Sequence, residues 1–164
     1  EASRKLIPLL PICVRLDGKG FSKFTKGLSR PFDKRLSDLM VETTKFLAEE
    51  TNAKIAYTQS DEISLILYSD SYKEQLYFDG KIQKLVSVLS SICTAKFNQL
   101  LPNFLPDKKE LAVFDCRVWN VPTKEEAANT LVWREIDATK NSVSMAAREY
   151  YSHKKLMNLS IELF

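Results

Sequence analysis

The sequence predicts an α+β domain in which helices pack on one face of a mainly antiparallel sheet. Three observations carry this expectation. Strand-like and helical hydrophobic periods alternate in the order strand, helix, hairpin, helix, strand, helix. The apolar runs at 55–57 and 63–68 are joined too closely for anything but a hairpin or tight bend. The chain's 164 residues, 45% of them hydrophobic, suffice to bury one core.

Each element has its own signal. Residues 11–16 (PICVRL) form an apolar run with a single charge, closed by Asp17-Gly18-Lys19-Gly20, which reads as a buried strand ending in a glycine turn. After Pro31, Asp33 is positioned as an N-cap for a helix. Leu36, Leu39, Met40, Thr43, Phe46 and Leu47 recur on its inner face, opposite Lys34, Arg35, Asp38, Glu42, Lys45 and Glu49. The connection at 58–62 puts Asp61 and Glu62 in the hairpin turn. A long amphipathic helix follows, turning Leu85, Val88, Leu89, Ile92, Cys93 and Ala95 mostly inward and ending at Pro102, with Pro106 in the loop beyond. Residues 111–118 read as a further strand. Thr123 and Glu126 have the spacing of a capping box, opening a last helix that runs with a break towards Tyr151.

Composition narrows the function classes. A formal charge of +3, from 24 basic and 21 acidic residues, is too small for general adhesion to nucleic acid, so any polyanion site must be local. Cys13, Cys93 and Cys116 are far apart without a C-x-x-C pair, which predicts free thiols in a reducing compartment, hence the cytoplasm. The apolar stretches are too short and interrupted to span a bilayer. The start at Glu1 and stop at Phe164 suggest that 1–164 is a single catalytic domain cut from a longer chain.

Two segments can carry chemistry. In Asp17-Gly18-Lys19-Gly20-Phe21-Ser22 a carboxylate at a strand end meets glycines whose backbone amides can form a phosphate-binding nest. In Ser60-Asp61-Glu62 adjacent acids lie between strongly apolar strands, where a cation would compensate them. Either segment alone also reads as a solvated turn. Together, a strand end and a hairpin turn of one sheet can present carboxylates at a common point, as a polymerase-like palm does for paired Mg²⁺ ions. Lys19, Lys23, Lys26, Arg30, Lys34 and Arg35 could neutralise a triphosphate or an RNA backbone, or form a solvated basic face. Phe21, Phe24 and Phe32 fit packing better than base stacking. His153, beside Lys154 and Lys155, reads as exposed.

The segments VRLDGKGFSKF (14–24), RPFD (30–33), YTQSDEISLIL (57–67), FDCRVWNVP (114–122) and WREIDATKNS (133–142) stand in the order of the tRNA-histidine guanylyltransferase superfamily, which the chain resembles over 11–151. The resemblance implies a polymerase-palm-like (ferredoxin-like) sheet and a homotetramer. It also implies an enzyme that adds nucleotides to the 5′ end of tRNA in the 3′ to 5′ direction. A 5′-monophosphate is activated with ATP, or a 5′-triphosphate used directly, and the 3′-hydroxyl of an incoming nucleotide such as GTP attacks it with two Mg²⁺ ions present.

By motif position, Asp17, the Gly18 carbonyl and Asp61 match the metal ligands and Glu62 the acidic neighbour of the catalytic pair. Lys19, Gly20, Phe21 and Ser22 match the loop around the triphosphate; Ser60, Arg30 and Asp33 match residues near the nucleotide. Arg30 replaces the usual lysine and keeps its charge. Of the HINNLYN segment of the eukaryotic enzymes only Asn141 is retained in residues 139–145, which points to the guanylyltransferase-like branch that repairs truncated tRNA 5′ ends, with single G addition to tRNA-His as the alternative. Asn141, Lys154 and Lys155 are candidate RNA contacts. Two other classes compete: a palm-fold nucleotidyl cyclase, for which the GG-D/E-F turn is missing, and a non-enzymatic RNA-binding module, for which aromatic RNP motifs are missing.

Overall fold

The computed structural model describes residues 4–72 and 76–150. In chain order the elements are β1 (Ile12–Gly18), α1 (Phe21–Phe24), α2 (Lys34–Thr51), β2 (Ile55–Gln59), β3 (Glu62–Leu67), α3 (Ile82–Phe104), β4 (Phe114–Asn120) and α4 (Lys124–Tyr150). A 3-10 turn at Tyr77–Gly80 leads into α3. The four strands form one sheet, ordered β2-β3-β1-β4, with every neighbouring pair antiparallel. This is the split βαββαβ arrangement of ferredoxin-like folds, and the α+β class is as the sequence predicts.

Alternation along the strands assigns two faces. Ile12, Val14 and Leu16 of β1, Ile63, Leu65 and Leu67 of β3 and Phe114 of β4 meet Leu39, Met40 and Leu47 of α2 and Leu85, Leu89, Cys93 and Phe97 of α3 in the main core. Asp33 caps α2 as expected, accepting from the Arg35 amide. The opposite face carries Cys13, Arg15 and Asp17 of β1. There α4 lays Ala127 and Leu131 over Cys13 and Ile66 in a second, smaller cluster, and the Cys13 thiol lies 3.9 Å from the Thr130 hydroxyl. Thus α2 and α3 share one face as expected, and α4 covers part of the other.

Several boundaries differ from expectation for local reasons. The hairpin turn is only Ser60 and Asp61, because Thr58, Gln59 and Glu62 pair within the ladder. Helix α3 continues through Pro102 to Phe104, since a proline in the last turn forfeits a single bond and Leu105 still donates to Leu101 O at 2.8 Å. Ala95 lies exposed on α3. Strand β4 starts at Phe114, not at Leu111. The preceding backbone is tied instead to α3, where Asn98 Nδ2 donates to Ala112 O at 2.8 Å and Asn98 Oδ1 accepts from Ala112 N at 3.0 Å. Helix α4 runs unbroken to Tyr150, and its start is capped by Thr123 Oγ1 accepting from Glu126 N at 3.2 Å.

Candidate active site

The site grows from the end of β1. Antiparallel pairing places Asp17 directly opposite Glu62 of β3 on one side and Asp115 of β4 on the other, so three carboxylates face the same side of adjacent strands. Asp61 is brought beside them because Gly18 N donates to Asp61 O at 3.1 Å, and the Ser60 hydroxyl donates to Asp61 Oδ1 at 3.0 Å. The sequence expectation that strand end and hairpin turn converge is therefore what the sheet builds.

Gly18 is required by space. A Cβ there would stand 2.2 Å from the Phe21 ring, which is itself packed against Phe24, Phe97 and Phe114. Gly20 is required by conformation, at φ +66. The turn between them folds α1 back on the strand end. Lys19 N is spent on Val113 O at 2.8 Å, so Lys19 offers the site its side chain rather than its amide. The Phe21 and Ser22 amides precede the first bond of α1, donated by Lys23 to Gly20 O at 3.0 Å, and face no intrahelical acceptor.

Electrostatics set the carboxylates apart. Burial, then the like charges of Asp115 and Glu62, raise the Asp17 pKa above its ordinary value, against a smaller opposing effect of Arg117. Asp61 is raised chiefly by burial, with Asp17 and Glu62 adding to it and the Ser60 bond opposing. Charge on this pair is thus costly until a cation balances it. Among the described residues no group of three or more His, Cys, Asp or Glu converges as a ready metal cage. Two carboxylates and the Gly18 carbonyl are a donor set suited to Mg²⁺, which keeps water and substrate phosphates for its other positions.

Glu62 is placed differently from a free metal ligand. Its side chain is 9% exposed, and both oxygens are taken by the Arg134 guanidinium of α4: Nε donates to Oε1 at 2.7 Å and Nη2 to Oε2. Arg15 Nε lies 3.7 Å from Oε1. Arg134, Arg15 and Asp115 were not singled out by sequence reasoning, although Arg134 and Asp115 stand inside the WREIDATKNS and FDCRVWNVP segments.

The remaining candidates lie further out. Asp33 is buried and saturated: Arg35 donates to both its oxygens at 3.0 and 2.8 Å, and Ser29 N reaches it at 3.1 Å. The Arg35 side chain, together with these amides, holds its carboxyl well below the usual range. Arg30 is exposed on the loop before α2. Lys34 is engaged by Asp38 at 2.7 Å, leaving Lys19, Lys23, Lys26 and Arg30 as the exposed members of the basic run without such an ion pair among the described residues. Phe21 and Phe24 are core residues, but Phe32 is 71% exposed, because Asp33 takes the inward position in that extended stretch. Asn141 is exposed on α4. Lys154, Lys155 and His153 lie outside the described residues. Cys13 and Cys93 are buried and Cys116 half-buried, all as free thiols, with burial pushing Cys93 and Cys116 up to about 12.

Comparison with known proteins gives this arrangement a family. Among solved structures, a bacterial tRNA(His) guanylyltransferase (Thg1)-like protein in complex with ATP superposes with a TM-score of 0.91 at 42% identity, covering 96% of this chain and 69% of that one. A Thg1-like bacterial structure in complex with GTP gives 0.87 at 42% identity, covering 92% and 72%. The Saccharomyces cerevisiae tRNA(His) guanylyltransferase gives 0.76 at 30%, covering 84% and 62%. Among curated sequences, an uncharacterised protein of Acanthamoeba polyphaga mimivirus is 34% identical over 96% of this chain and 62% of its own length. The tRNA(His) guanylyltransferase of Neurospora crassa is 32% identical over 87% and 50%. The chain spans between half and two thirds of the length of these curated relatives. A profile of the Thg1 family, described as tRNAHis guanylyltransferase, matches residues 1–122, and the chain belongs to that family.

Proposed function

We propose that the protein is a Mg²⁺-dependent nucleotidyltransferase that adds nucleotides in the 3′ to 5′ direction to the 5′ end of tRNA, as a repair enzyme for truncated ends. The observation that carries this reading is the meeting of Asp17, the Gly18 carbonyl and Asp61 at the end of a ferredoxin-like sheet, beside the Gly20–Ser22 turn, in a chain of the Thg1 family. Asp17, Gly18 and Asp61 would hold two Mg²⁺ ions, which when bound neutralise phosphate charge and stabilise the attacking and leaving oxygens.

The chain's own groups do the rest. The Phe21 and Ser22 amides, with Gly20 between strand end and helix, orient triphosphate oxygens. Lys19 and Arg30 neutralise their charge, and Ser60 holds Asp61 in place. Asp33 contributes by fixing the loop that carries Arg30, since its own oxygens are spent. ATP and GTP are the nucleotide substrates by likeness to the bacterial relatives whose structures hold them. Asn141, with Lys154 and Lys155, would meet RNA phosphates. No helix among the described residues is long and apolar enough to cross a membrane. Free thiols favour the cytoplasm, and exposed Val132, Trp133 and Ile136 on α4 favour burial between subunits of a tetramer.

The test is incubation with 5′-truncated tRNA, the four NTPs and Mg²⁺, beside intact tRNA-His. Extension up to the length set by the opposing strand is the expected result. Addition of one G to tRNA-His alone would assign the other activity of the family, and cyclic nucleotide formed without RNA would refute the polymerase reading.

A further inference from the structure

The geometry points to Arg134 as a positioning residue of the metal site: it holds Glu62 as a charge-balanced neighbour and thereby keeps the metal-binding set to Asp17, Gly18 and Asp61. This rests on the two-metal reading above. On α4, Ala127, Thr130, Leu131 and Arg134 recur at spacings of three and one, so they form a single stripe facing the sheet. The stripe is apolar over Cys13 and Ile66 and ends in Arg134 where the strands end in carboxylates. Trp133, one residue earlier, is 77% exposed, so packing of the stripe fixes which residue reaches the sheet.

The ion pair is formed to consume Glu62. Arg134 grips both oxygens, Arg15 approaches Oε1 at 3.7 Å, and the Ser64 hydroxyl lies 3.4 Å from the same atom. Arg134 is itself aligned by Asp137 at 3.2 Å, and Arg15 stacks over Trp119 with its guanidinium carbon 5.5 Å from the ring. Glu62 is nonetheless opposite Asp17 in the ladder and next to Asp61 in sequence. Paired, its charge still reaches Asp17 and Asp61 but is offset in part by the guanidinium; freed from Arg134, it would act on the metal site at full strength. The arginine thus tunes the site's affinity for a divalent cation without touching the cation.

The sign of the effect makes this testable with Mn²⁺ alone, followed by the electron paramagnetic resonance of the free ion. A unit charge about 7 Å from a divalent ion changes its affinity about fivefold at low ionic strength, even at the dielectric of water. Arg134→Gln is expected to bind Mn²⁺ about fivefold more tightly than the unaltered protein, and Glu62→Gln about fivefold more weakly. The double variant, whose net charge is unchanged, should return most of the way to the original affinity, well above Glu62→Gln, and Arg134→Lys should stay close to the original. A double variant as weak as Glu62→Gln would make Glu62 a direct ligand and overturn the inference. So would three variants that shift together or not at all, the mark of a merely structural pair. Circular dichroism checks folding, and if Arg134→Gln does not fold, the comparison of Glu62→Gln with the double variant decides. Asp17→Asn and Asp61→Asn separate the two levels: if both bind Mn²⁺ normally, the metal reading itself fails, whereas if both lose it and the charge pattern is absent, only the role of Arg134 fails.

Discussion

Replacing Gly18 by alanine tests how closely the fold and the proposed site depend on one another. The added methyl would lie 2.2, 2.5 and 2.8 Å from three ring atoms of Phe21. The first of these is more than 1 Å short of the ~3.5 Å at which carbon atoms normally meet. The ring cannot swing aside freely, because Phe24, Phe97 and Phe114 surround it at centroid distances of 4.9, 5.8 and 5.3 Å. Relief must come from moving the strand end away from α1, and that strand end carries both Asp17 and the Gly18 carbonyl. Overpacking of this kind costs about 1–3 kcal/mol, and at about 2–4 °C per kcal/mol for a domain of this size the melting temperature should fall by roughly 5 °C. Mn²⁺ affinity should fall with it. Gly20→Ala supplies the contrast, since no atom lies within 4 Å of its Cβ position and the cost is only that of φ +66 in a residue with a side chain, about 1–2 kcal/mol. Its Mn²⁺ affinity should be kept. Urea denaturation and Mn²⁺ titration read both quantities. A Gly18→Ala protein with unaltered stability and metal affinity would refute the coupling of turn, aromatic cluster and site.

Asp17→Asn and Asp61→Asn should each abolish nucleotide addition, by more than about 100-fold, yet raise the melting temperature at pH 7 without divalent ions. The sign follows from linkage: both carboxyls have pKa values raised above 3.8, so the folded state holds more protons than the unfolded between that value and the raised one. Stability falls as pH rises through that window and stays reduced above it. Mg²⁺ should stabilise the unaltered protein and neither variant in thermal melts; equal response of all three would remove the metal site. Asp33→Ala should cost about 1–2 kcal/mol in urea titrations for the lost cap alone. Because the Asp33 pKa is lowered, its contribution is complete above the ordinary carboxylate value and is lost only as pH falls towards the folded one. The gap to the unaltered protein should therefore hold from pH 7 down to about 4 and narrow below. A variant equally stable at neutral pH would show that the loop is held by other means.

Much of this protein was written in local patterns. The three-and-four spacing of Leu39, Met40, Thr43 and Leu47 is the inner face of α2, the alternation in β1 and β3 is the sheet's core face, and Asp33 and Thr123 are caps, because these features depend only on neighbours in sequence. Asp17 and Asp61 were visible for the same reason, as acids placed where strands end. What sequence could not supply was the partner across space. Nothing local marks Asn98 as the residue that binds Ala112 and delays β4, or shows that Asp33 has no oxygen left for a ligand.

Glu62 and Arg134 are 72 residues apart, and their pairing exists only because α4 crosses the face opposite α2 and α3. The sequence by itself determined which carboxylates stand at the strand ends, since side-chain alternation is a property of the chain. Only the tertiary structure decided which of them remain free for a cation, because that is a question of which charges the fold brings within a few ångströms, where Coulomb energy and desolvation are settled together.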